Sequence, residues 1–172
     1  MLWAVFGAIL SALCSQTAAA SDLSIVGQWK GLYPSDKVAG GKSLWDQPAV
    51  EEVLRTAMGA RFVEFVAKDA HAPDAPVQSD GNGLFAAWAC TNGEDCGGNN
   101  VTVFFDSKAG EAEVCWRSSE GIGGRVHDVW LASGKESPLP INGCGVGERH
   151  PFASFKKHHA NDPRQEGLPG GP

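Results

Sequence analysis

Trp88-Ala89-Cys90-Thr91-Asn92-Gly93-Glu94-Asp95-Cys96-Gly97, followed closely by Val101-Thr102-Val103-Phe104-Phe105-Asp106, is the stretch on which the fold turns. An apolar run enters a polar segment bounded at both ends by cysteine. The β-branched and aromatic residues that follow suit a pleated, half-buried surface. The pattern reads as strand, short loop, strand. A disulfide between Cys90 and Cys96 would enclose only Thr91, Asn92, Gly93, Glu94 and Asp95. Closing so short a loop restricts the unfolded chain and contributes about 2 kcal/mol. The expected product is a rigid polar knuckle projecting from a sheet edge, and such a projection loses little entropy when it fills a cleft.

Upstream, residues 77–79 and 84–90 flank Asp80-Gly81-Asn82-Gly83. Asn-Gly between apolar runs is a strong hairpin signal. Downstream, residues 111–117 alternate Ala112, Val114 and Trp116 against Glu113 and Cys115, and residues 126–132 form a further candidate strand. The N-terminal part reads differently. Val50, Val53, Leu54, Ala57 and Met58 lie on one helical stripe. Asp46 is the expected N-cap, Pro48 fits the first turn, Glu51 and Glu52 complement the dipole, and Gly59 ends the helix. Residues 61–68 suggest a second short helix with Phe62, Phe65 and Val66 inward, and residues 25–29 a short strand or extended arm. The expected fold class is α+β, with N-terminal helices packed on an antiparallel sheet of about five strands and a disulfide-stapled protruding loop.

Residues 1–13 are almost wholly apolar, mostly small residues follow and end in Ala18-Ala19-Ala20, and the first charge is Asp22. This is the pattern of a secretory signal peptide, with cleavage expected after Ala20 and a lipid anchor at Cys14 as the less favoured alternative. The mature chain of roughly 150 residues is large enough for one domain. The expected domain spans residues 21–145. Residues 146–172 form a Pro-, Gly- and charge-rich tail, expected to be mostly disordered apart from a short helix near 153–159. Cys14 leaves with the signal, so four of the five cysteines remain: Cys90, Cys96, Cys115 and Cys144. An even count in an exported chain reads as two disulfides, and four cysteines allow three pairings. The short spacing favours Cys90–Cys96, and Cys115–Cys144 follows by elimination. The net charge of −6 argues against nucleic acid and anionic membrane as partners and is compatible with a basic protein partner.

The loop and its flanking strands resemble the inhibitor of vertebrate lysozyme family. Members carry a Cys-x-Pro-His-Asp/Asn-Cys-Gly loop between two strands, after an N-terminal helical part. The resemblance extends to Leu44-Trp45-Asp46, to Gly59-Ala60-Arg61-Phe62 and to the strand from Ala112 to Trp116. It implies a small periplasmic domain that acts without catalysis, whose loop enters the lysozyme cleft. Here that loop would be Asn92, Gly93, Glu94 and Asp95, held by Cys90 and Cys96. The resemblance also allows a homodimer. This loop departs from the family pattern: it has five residues between the cysteines rather than four, and neither Pro nor His. Aligned from its C-terminal end, Asp95 takes the acidic position and Glu94 stands where the imidazole would be.

Other candidates are weaker. Gly27-Gln28-Trp29 spells the lipocalin G-x-W, so a small-ligand carrier of that type is the alternative, although a helix stands where barrel strands should run. No G-x-S-x-G or H-E-x-x-H is present, and no enzyme activity or cofactor is expected. His150, His158 and His159 lie in the tail, His71 and His127 stand alone, and no metal site is expected. Asn100-Val101-Thr102 is a glycosylation sequon by spelling. Trp45, Trp88, Trp116 and Trp130 are expected in the core.

Overall fold

A computed structural model describes residues 21–67, 73–91, 95–120, 124–140, 143–144 and 151–160. The expected signal peptide lies outside the described residues. Three α-helices and six strands follow in the order α1 (Pro48–Met58), α2 (Arg61–Ala67), β1 (Asp74–Ser79), β2 (Leu84–Cys90), β3 (Asn100–Asp106), β4 (Glu111–Ser119), β5 (Val126–Ala132), β6 (Lys135–Leu139) and α3 (Phe152–His158). The strands form one antiparallel sheet in sequence order. Helices precede the sheet, as the sequence indicates, but among the described residues there are six strands rather than about five.

The additional strand, β6, follows a tight turn in which Ser133 and Gly134 both have positive φ, the conformation of a two-residue hairpin loop. Its sequence, Lys-Glu-Ser-Pro-Leu, is exposed along most of its length. It therefore carries no apolar alternation by which to recognise it. A bidentate pair holds it to the helical layer: Arg61 Nε and Nη2 donate to Glu136 at 3.2 and 3.1 Å.

Helix α1 buries all five residues of its stripe and ends at Gly59. Gly59 has φ of 55°, and a Cβ there would sit 3.2 Å from the Gly134 Cα, so the position needs glycine for both conformation and space. The expected cap is displaced by one residue. Gln47 occupies the N-cap without a side-chain capping bond. Asp46 is instead engaged upstream by Ser43 Oγ and by Lys37 Nζ at 3.1 Å. In α2, Phe62 and Phe65 are buried as expected, whereas Val66 is exposed. The arm at residues 25–29 is a 3-10 helix, Leu23–Trp29. Its buried residues Leu23, Val26 and Trp29 recur every three positions, which matches the period of a 3-10 helix rather than a strand.

Both sheet faces are covered. Ala87, Ala89, Val101, Val103, Phe105, Val114, Trp116 and Leu131 face the helices α1 and α2 and the 3-10 helix. On the opposite face Ala86, Phe104, Cys115 and Trp130 form a second cluster with Cys144, Phe152 and Phe155. Helix α3 thus packs against the outer face. The rest of the tail lies outside the described residues.

The expected disulfides are both formed, Cys90–Cys96 and Cys115–Cys144, with Cα separations of 4.9 and 5.3 Å. The second leaves the outer face of β4 and anchors residue 144. Beside it lies a buried ion pair between neighbours in register. Arg117 Nε and Nη2 each donate to Asp128 at 2.8 Å, and Cys144 N approaches the same carboxylate at 3.3 Å. Removing one partner of such a pair strands a buried charge. Asp128→Ala is expected to cost about 3–5 kcal/mol in urea unfolding, while the double variant Arg117→Met/Asp128→Leu should cost much less than the single one.

Candidate functional site

The loop between β2 and β3 is held at its base by three kinds of bond. The disulfide joins its two ends. The backbone closes with Thr91 N donating to Asn99 O at 3.0 Å and Asn99 N donating to Asp95 O at 2.8 Å. Asn100, fully buried, donates from Nδ2 to Cys96 O at 2.7 Å. That buried amide has no room for a glycan, so the sequon spelling at Asn100 does not mark an accessible modification site.

The base is also latched to the end of β4. Asn99 Nδ2 donates to Ser119 Oγ at 2.8 Å, and Ser119 N donates back to Asn99 Oδ1 at 3.2 Å. Asp95 accepts from Gly98 N at 2.9 Å and from Ser119 Oγ at 3.2 Å. Of the four residues expected to meet a partner, Asp95 therefore has its carboxylate turned into the loop base. Asn92, Gly93 and Glu94 lie outside the described residues. Sequence pattern places Asp95 in the loop but gives no hint of Ser119, which lies 24 positions away.

A second polar group occupies the other end of the outer face. Glu113, on β4, accepts from Trp130 Nε1 at 2.6 Å and lies 2.7 Å from His159 Nε2. The His158 ring stacks on Trp130 with centroids 4.2 Å apart and planes within 13°. Phe155 packs beside both Trp130 and Phe104. Burial works to raise the Glu113 pKa, but the bonds from His159 and Trp130 and the nearby histidine charges outweigh it, so the carboxyl stays below its usual range. Burial pushes the His158 pKa down, reinforced by His159 and partly offset by Glu113. By sequence alone, His158 and His159 belong to a polar tail. Their partner Glu113 is too far away in sequence for any local pattern to reveal it.

Between α1 and α2 runs an open, mainly apolar groove of about 530 Å³, lined by Trp45, Leu54, Phe62, Phe65 and other apolar residues together with the charged Asp46, Glu51 and Arg55. Trp45, Trp116 and Trp130 are buried as expected, and Trp88 is partly exposed.

No family model, curated protein or solved structure matches this chain.

The latch makes a specific demand at Gly98, where an added Cβ would collide with the Asp95 carboxylate and with Ser119. Gly98→Ala should lower stability by about 1–3 kcal/mol in thermal or urea unfolding. It should also shift the Ser119 and Asn99 amide resonances, leaving those of α1 in place.

Proposed function

We propose that this protein is an exported inhibitor of a lysozyme-type glycosidase, acting by lodging the Cys90–Cys96 loop in the enzyme's cleft without catalysis of its own. The observation that carries this reading is the construction of the loop base. A disulfide, a closed backbone and the Asp95–Ser119–Asn99 latch fix both ends of the segment 92–94. A segment held this way loses little freedom on binding. The family resemblance of the loop and its flanking strands supplies the class of partner. The acidic net charge complements a basic enzyme and would speed encounter. Export to the periplasm is part of the same proposal and rests on the apolar N-terminal segment.

The carrier alternative finds less support. Among the described residues the sheet is open, with β1 and β6 at its edges rather than paired into a barrel. Trp29 of the G-x-W spelling sits in a 3-10 helix. The apolar groove between α1 and α2 is open rather than enclosed.

Charge sets the expected behaviour of the inhibitor. A glycosidase cleft of this kind holds two carboxylates, one with a raised pKa. Asp95 is already held within the loop base, so Glu94 is the acid proposed to face them. Like charges about 4 Å apart repel by about 1 kcal/mol in water and ~4 kcal/mol at an effective dielectric of 20. Protonating one of the carboxyls removes most of that cost. Titration calorimetry and cell-wall turbidity assays with a vertebrate-type lysozyme should therefore show weak inhibition at neutral pH, strengthening as pH falls toward about 5. Glu94→His should tighten binding near neutrality by about tenfold, while Asp162→Ala and Glu166→Ala in the tail leave it unchanged. Equal effects of loop and tail substitutions, or no binding at either pH, would refute the inhibitory reading.

A further inference from the structure

We propose that Glu113, His158 and His159 form a binding site for one divalent transition-metal ion of zinc type, which fastens the C-terminal helix to the sheet. The three side chains come from two elements, β4 and the end of α3. Each offers one ligand atom, and these atoms lie within 4.8 Å of one another. Zinc–nitrogen and zinc–oxygen bonds of about 2.0–2.2 Å in a tetrahedral arrangement require donor atoms roughly 3.4 Å apart. The Glu113–His159 contact, now 2.7 Å, needs to open by less than an ångström, and His158 needs only a small swing inward.

The donor set decides the class of ion. Two imidazoles and one carboxylate suit zinc or copper, whereas calcium and magnesium favour oxygen ligands alone. Three protein ligands leave a fourth position for water. The surroundings already orient the ligands. Trp130 Nε1 donates to Glu113 at 2.6 Å and its ring carries His158 in a near-parallel stack. Such supporting contacts fix ligand orientation around an ion. Phe155, from the turn of α3 before the histidines, seats the helix against Trp130 and Phe104. Among the described residues this is the one trio of His, Cys, Asp or Glu side chains that converges so closely.

The site forms only when α3 is docked, so the ion would be a clip that closes the outer face. Glu113 and Ser119 lie six positions apart on β4, a distance of about 20 Å along the strand. The clip and the loop base thus stand at opposite ends of the sheet, and the two proposals succeed or fail separately.

The test uses untagged protein from the full chain, with ZnCl2 as the probe in titration calorimetry near neutral pH. One ion should bind per chain, and the thermal midpoint should rise with zinc concentration, as it does for any ligand of the folded state. CuCl2 at one equivalent should quench part of the tryptophan fluorescence, because the site touches Trp130. His158→Ala removes a solvent-exposed ring that stacks on Trp130, so circular dichroism checks that the variant keeps its fold. It should weaken zinc binding by more than about tenfold and abolish the stoichiometric quenching. Glu113→Gln should do the same, with circular dichroism checking its fold. His127→Ala, which alters a histidine paired with Glu120, should bind as wild type does. Absence of saturable zinc binding, or unchanged affinity in His158→Ala and Glu113→Gln, would overturn the proposal.

Discussion

Strand β3 is buried on both faces, and the rest of the molecule is arranged around that fact. From Asn100 to Phe105 every residue is buried. Val101, Val103 and Phe105 face the N-terminal helices, and Phe104 faces the opposite cluster. A sheet whose middle strand is buried on both sides needs two covers. The helical segment ahead of the sheet can supply only one. The second comes from the far end of the chain, where Cys144 is tied to β4 and α3 stacks Phe155 over Phe104 and Trp130. The buried Arg117–Asp128 pair sits under this second cover.

The parts of this design that depend on near neighbours were legible in the sequence. The stripe of α1, the hairpin at Asp80–Gly83 and the pairing of the four cysteines all follow from spacing. In the hairpin, Asp80 accepts from the amides of Asn82 and Leu84 at 2.7 and 3.1 Å, and Gly81 and Gly83 supply positive φ. The displaced cap and the additional strand also have local causes. Asp46 has the right side chain for a cap but sits one position early and serves Ser43 and Lys37 instead. The polar, exposed β6 offers no periodicity.

What the sequence could not disclose depends on contacts between distant residues. Asp95 looks like a loop-tip acid until Ser119 is brought against it. His159 looks like part of a solvated tail until Glu113 is placed beside it. In both cases the partner lies on β4, at one end or the other. That strand has neighbours on both sides, β3 and β5, so its two ends are stable platforms. One holds the base of the stapled loop and the other the base of the terminal helix. A disulfide-stapled loop can therefore be read from its cysteines, while the carboxylates left free in it depend on which ones the platform has already claimed.

The edges of the sheet govern how the molecule behaves when crowded. An exposed outer strand is a template on which another chain can add, and growth by such addition leads to fibrils. Both outer strands here are poor templates. On β1, Pro76 lacks an amide hydrogen, the register is interrupted between Ala75 and Gln78, and Gly31 and Leu32 already bond to Val77. On β6, Pro138 interrupts the outward row of donors, and Lys135 and Glu136 place charge along it. A sheet blunted in this way offers a second chain few free donors and acceptors on which to add a strand.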